Sequence, residues 1–153
     1  MRQKGGWRWV GWAMLCVLLA IGPQARQPAE AAVPRPGPLL ADALEAAEQL
    51  GASVYNMRFV KPLDEDAIRQ AAKDHKLLVT IEENAIAGGA GSAVNEWLAA
   101  NSEHTNILNL GFPDTYVGQG TQAEMLSEWG LDTDGILKSI QNRLACMNAS
   151  NCQ

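Results

Sequence analysis

The spacing of apolar positions changes along this chain, and each change marks an element. Leu39, Leu40, Ala43, Leu44, Ala47 and Leu50 recur at helical spacing, and Gly51 stands where a left-handed residue would end the last turn, which predicts a helix over 39–50. Residues 53–60 (SVYNMRFV) have the branched and aromatic content of a strand, and Pro62 stops it. Asp64 offers a capping carboxylate, Glu65 and Asp66 suit a positive first turn, and Arg69, Lys73, His75 and Lys76 suit a negative end, so a helix is expected over 64–75. Residues 77–82 (LLVTIE) form a nearly unbroken apolar run, the mark of a strand covered on both faces. A glycine-rich stretch over 87–92 then leads into a helix at 93–100, and 106–110 (NILNL) gives another strand. Two short helices close the chain, 122–129 with Thr121 as cap and Gly130 as stop, and 134–145. Alternation of helix and buried strand predicts an α/β domain, a three-layer sandwich with a mainly parallel sheet and helices on both faces.

The first 36 residues do not share this pattern. Residues 9–21 are all apolar or glycine, preceded by Arg2, Lys4 and Arg8 and followed by Gly22-Pro23. Thirteen residues are too few for a bilayer span, which needs about 20. Their order fits a secretory signal, with Ala29-Glu30-Ala31 as a small-x-small cleavage site, and the Pro-, Ala- and Arg-rich 24–38 then reads as a linker. A second reading takes 15–21 (LCVLLAI) as a buried strand, since Gly22-Pro23 recurs as Gly37-Pro38, as if a tract had been inserted between a strand and its helix. A third takes the segment as an out-of-frame start. The expected organisation is 1–36 as a signal-like or out-of-frame segment with linker, 37–145 as the domain, and 146–153 as a tail.

Charge sharpens the seam. Residues 1–36 hold five basic residues against one acidic, while the remainder holds 7 basic and 16 acidic. An acidic body without a Lys/Arg cluster lacks the cationic footprint of a nucleic-acid binder. Cysteine gives no disulfide framework: Cys16 lies in the apolar run, and Cys146 and Cys152 are either frayed-tail thiols or, in an exported chain, the ends of a small loop. Neither His75 nor His104 has neighbours at metal-ligand spacing.

The stretch 82–92 (EENAIAGGAGS) holds the candidate chemistry. Open α/β sheets bind ligands beyond the carboxyl ends of their strands, and N–H groups at a helix start can hold a phosphate. The spacing is neither of the two glycine-rich phosphate motifs, no lysine follows, and two carboxylates would repel an anion, so Gly88, Gly89 and Gly91 read better as positions of tight turning and close backbone approach. Glu82 and Glu83, as strand neighbours, point to opposite faces and cannot readily converge on one substrate bond. Arg58 reads as an edge-exposed arginine or a partner for a carboxylate. The body shows no complete set of nucleophile, base and oxyanion donors.

The segments YNMRFVKPLD (55–64), VTIEENAIAGGAGSAVNE (79–96), LNLGFPD (108–114) and QGTQ (119–122) closely resemble the carboxyl-terminal, transketolase-like third domain of the 1-deoxy-D-xylulose-5-phosphate synthase family, in unbroken order from about residue 37 to 144. The resemblance implies a transketolase-type transferase, cytoplasmic and homodimeric, that uses thiamin diphosphate and Mg²⁺ to join pyruvate and glyceraldehyde 3-phosphate with loss of CO₂, feeding isoprenoid, thiamin and pyridoxal synthesis. In that family the cofactor lies between two preceding domains, which have no counterpart in these residues. The implied role is therefore a third-domain fragment that packs against the missing cofactor-binding domains or a homodimer mate, inactive alone, with no catalytic, cofactor or metal ligand of its own. Arg58, Glu82, Glu83, Asn84, Gly88, Gly89 and Gly91 then become a candidate packing or interface loop. The rival readings are a standalone binding or regulatory module that pairs with separately encoded catalytic domains, and an exported domain reusing the fold. The family's third domain opens with a buried strand before the position of Gly37, where this chain has AAVPRP (31–36), so either 15–21 supplies that strand or the sheet lacks it.

Overall fold

A computed structural model of the chain describes residues 16–22, 38–57, 59–116 and 118–149. Arg58, the stretch read as cleavage site and the linker up to Gly37 lie outside them, while Pro38, read as the linker's last residue, opens a helix.

Four strands and five helices alternate: β1 (Cys16–Ile21), α1 (Pro38–Leu50), β2 (Ser53–Met57), α2 (Glu65–Asp74), β3 (Leu77–Ala85), α3 (Ala90–Ala100), β4 (Asn106–Phe112), α4 (Gln122–Glu128) and α5 (Thr133–Asn148). The sheet runs β2-β1-β3-β4. β3 and β4 pair parallel, while β1 lies antiparallel to both β2 and β3. Three strands thus share one direction and β1 opposes them, which makes the sheet mixed. The apolar run read three ways from sequence supplies the missing strand, so the sheet reaches back across residue 37, and α5 continues past 145. Among the described residues no helix is long and apolar enough to cross a membrane.

Period-two alternation on β3 divides the core. Leu77, Val79 and Ile81 face a cluster with Leu39, Leu40, Ala43, Ala47, Leu126, Ile136 and Ile140, from α1, α4 and α5. Leu78 faces a second cluster with Ile68, Ala71, Ala90, Val94, Trp97 and Leu98, from α2 and α3. β1 repeats the division, sending Leu19 to the first cluster and Ala20 to the second. Two helices stop where glycine permits a left-handed turn. Gly51 (φ 62°) and Gly130 (φ 66°) each let the next residue donate back to the carbonyl five positions earlier, from Ala52 to Ala47 and from Leu131 to Leu126.

Boundaries depart from the sequence reading where contacts beyond the local pattern intervene. β2 ends at Met57 because Phe59 has left the sheet and is exposed, and the Lys61–Pro62 peptide that follows is cis. β3 and β4 run on to Ala85 and Phe112, and α3 begins three residues early, at Ala90. The acidic start of α2 and its Asp64 cap stand as read: the Asp64 carboxylate accepts from the Ala67 N–H at 3.0 Å. α5 is tied to α1 by the Thr133 hydroxyl, 3.0 Å from Asp42 Oδ1, and to β4 by Arg143 Nη2, which donates to the Ile107 carbonyl at 3.0 Å. Cys146, near the end of α5, is disulfide-bonded. Cys152 lies outside the described residues.

Leu19 is fully buried at the centre of the sheet, so Leu19→Ala is expected to lower the unfolding free energy by about 2–5 kcal/mol, the usual cost of a large-to-small core change. Leu44→Ala, on the exposed side of α1, should cost less than about 0.5 kcal/mol. Urea titration followed by far-UV circular dichroism measures both.

Candidate functional site

Glu82 is the sixth residue of β3, on the face that Leu78 and Thr80 share, and it is fully buried. An isolated carboxylate there would be costly. Two backbone donors meet it: the Ala90 N–H reaches Oε2 at 2.8 Å and the Gly91 N–H reaches Oε1 at 3.0 Å. These belong to the first turn of α3, whose N-cap residue, Gly89, has no side chain to do the work. A strand residue therefore caps the following helix from eight and nine positions away, with its negative charge at the positive end of the helix dipole. Burial pushes the Glu82 carboxyl above the ordinary range for a glutamate, and the Gly91 and Ala90 N–H groups pull it partly back.

Each glycine of the loop answers a local constraint. A Cβ on Gly89 would fall on the Glu82 carboxylate, and one on Gly91 would meet the Asn109 amide and the Thr80 hydroxyl. Gly88 takes φ 74°, and its N–H donates to the Ser92 hydroxyl at 3.1 Å, which in turn donates to the Ile86 carbonyl at 2.7 Å. Beside this loop Asn109 Nδ2 donates to Thr80 Oγ1 at 2.8 Å, and Asn95 Nδ2 donates to Asn109 Oδ1 at 3.1 Å. These three polar residues escape a reading of the sequence, although a threonine inside LLVTIE and an asparagine inside NILNL are the signals that could have pointed to them.

Glu83 takes the opposite course. It is exposed and accepts from Gln122 Nε2, which holds the start of α4 against the end of β3. Asn84 is also exposed, and its carbonyl lies where a Cβ on Gly111 would come within 2.8 Å. Glu82, Gly89 and Gly91 thus converge inside the domain, Glu83 and Asn84 face outward, and Arg58 lies outside the described residues. His75 and His104 are not brought together: His75 is buried with Nδ1 3.1 Å from the Ala71 carbonyl, and His104 is exposed.

A phosphate at the α3 N-terminus would need the N–H groups that Glu82 already occupies, and it would face that carboxylate. Among the described residues no group of three or more His, Cys, Asp or Glu is placed to hold a metal ion. The donor set at this loop does not fit a diphosphate cofactor or its metal.

The profile described as "Transketolase, C-terminal domain" matches residues 36–136. Over 125 residues the chain is 51% identical to 1-deoxy-D-xylulose-5-phosphate synthase from Nitrosospira multiformis, covering 82% of this chain and 20% of that protein. The enzyme of the same name from Mannheimia succiniciproducens is 53% identical over 78% of this chain and 19% of its own length. That from Pseudomonas savastanoi is 56% identical over 71% and 17%. The chain spans about a fifth of the length of these relatives. A solved structure titled as a split-gene transketolase, inactive β4 tetramer, superposes with a TM-score of 0.62 at 30% identity, covering 70% of this chain and 36% of that one.

Glu82→Gln keeps the shape but sets an amide N–H₂ against a backbone N–H, and it should cost about 1–3 kcal/mol, the penalty for a buried donor left without an acceptor. The raised carboxyl also gives pH a sign. The folded state holds the Glu82 proton more tightly than the unfolded state does. Stability therefore falls as pH rises from the ordinary carboxyl range through the raised value, and levels off above it. Urea unfolding of the unsubstituted chain and of Glu82→Gln across pH 4–8 should show that fall only in the former.

Proposed function

The chain belongs to the transketolase C-terminal domain family, and on that footing we propose that it acts as the third domain of a thiamin diphosphate-dependent 1-deoxy-D-xylulose-5-phosphate synthase. Its part is to pack against the cofactor-binding domains, and it holds no complete active site. The reaction of the whole assembly is the joining of pyruvate and glyceraldehyde 3-phosphate to give 1-deoxy-D-xylulose 5-phosphate and CO₂.

The observation that carries this reading is the pair of hydrogen bonds from Ala90 and Gly91 to Glu82. In an open α/β sheet the helix start beyond a strand's carboxyl end is the place for an anionic ligand. Here the domain's own carboxylate fills it, so the carboxyl end of the sheet serves internal cohesion and contact with neighbours. The split-gene title of the structural relative supports a second reading, in which the module meets its catalytic domains as a separate polypeptide.

One assay tests both readings. Purified chain with thiamin diphosphate, Mg²⁺, pyruvate and glyceraldehyde 3-phosphate is expected to release no CO₂ above the protein-free control, and turnover by the chain alone would overturn the proposal. Addition of a related synthase trimmed of its own third domain should raise turnover above that of the trimmed enzyme.

A further inference from the structure

The register of β1 fixes where the preceding chain reaches the domain. Cys16 lies opposite Met57 on one side and Glu82 on the other. Because β1 opposes both neighbours, its amino end stands at the carboxyl ends of β2 and β3. The described loop residues at this end of the sheet are 59–64, 86–89, 113–116 and 118–121.

Those loops carry the two most exposed large apolar side chains among the described residues, Phe59 at 71% and Tyr116 at 93%. At the opposite end of the sheet the described residues of 51–52, 75–76 and 101–105 expose Gly51, Lys76, Asn101, Ser102 and His104 and no large apolar side chain. The aromatic end is also braced. Gln122 Nε2 is held by Glu83, the Ile86 N–H donates to the Phe112 carbonyl at 3.0 Å, and Gly111 lets the two strands close on Asn84. Exposed aromatic side chains bring a large contact area at a low cost in side-chain freedom, which favours a specific contact.

The relatives are longer than this chain. The matched domain is carboxyl-terminal by its description and the matched stretch is about a fifth of their length, so the greater part of each relative precedes it, and in this chain the strand that leads into the domain, β1, begins at this end of the sheet. We infer that the carboxyl end of the sheet, centred on Phe59 and Tyr116, is the surface that receives the domain directly preceding this one in the synthase. The inference rests on the third-domain reading above and adds to it the face and the two anchoring side chains.

The test titrates the full chain into a related bacterial synthase trimmed of its own C-terminal domain, with binding read by calorimetry. Phe59→Glu and Tyr116→Glu should each weaken binding at least tenfold, while His104→Glu at the other end leaves it unchanged. Circular dichroism checks that each variant keeps its fold. Weakening by His104→Glu alone would overturn the assigned face and leave the third-domain reading standing; no binding by the unsubstituted chain would overturn the reading beneath it. The same substitutions in a full-length chimera, with residues 16–149 replacing the relative's own domain, remove the dependence on a trimmed enzyme. There Phe59→Glu and Tyr116→Glu should open the interdomain boundary to limited proteolysis and His104→Glu should not; unchanged protection overturns the inference.

Discussion

The sheet depends on one strand that opposes its neighbours. β2 and β3 point the same way and are held apart by β1, which takes up the inward hydrogen-bonding groups of both. Buried backbone groups need partners, so without β1 two covered strands would each present an unsatisfied edge to the interior. The same strand gives Leu19 to one core cluster and Ala20 to the other. Its direction also places Cys16 at the carboxyl ends of β2 and β3.

Glu82 is the polar counterpart of that apolar arrangement. A carboxylate without exposure is tolerated because its two oxygens each accept a backbone N–H and because its charge complements a helix end. Gly89 and Gly91 exist in this setting as absences of Cβ, which let the first turn of α3 descend onto the acid. One contact therefore joins β3 to α3, leaves no room for a Cβ at Gly89, and occupies two of the N–H groups at the start of α3. An arrangement that looks like ligand chemistry in the sequence is cohesion in the structure.

What could be read from sequence was what is settled locally. The helix over 39–50 with its glycine stop, the Asp64 cap and the Thr121 cap all appear within one or two residues of their expected places. The start of α3 was hidden because its cap sits on another element, and the glycines before it read as loop. The link from Thr80 through Asn109 to Asn95 depends on the parallel register of β3 and β4, which pairs Thr80 with Asn109, and no local window contains that register. Phe59 carried strand propensity past the point where the strand ends, since propensity cannot tell a half-buried pleat from an exposed loop. The run over 15–21 could serve as signal or strand until residues 53–57 and 77–82 were seen to pair with it.

β4 is the outer strand on one side of the sheet, and its residues 106–112 carry no charged side chain to deter an approaching strand. The guanidinium of Arg143 already engages the Ile107 carbonyl on that strand. A foreign segment that sought to template on this border would have to displace a charge-assisted bond at Ile107 before a ladder could run its full length. Arg143 thus covers one backbone acceptor of this border from a helix that is itself packed against the sheet.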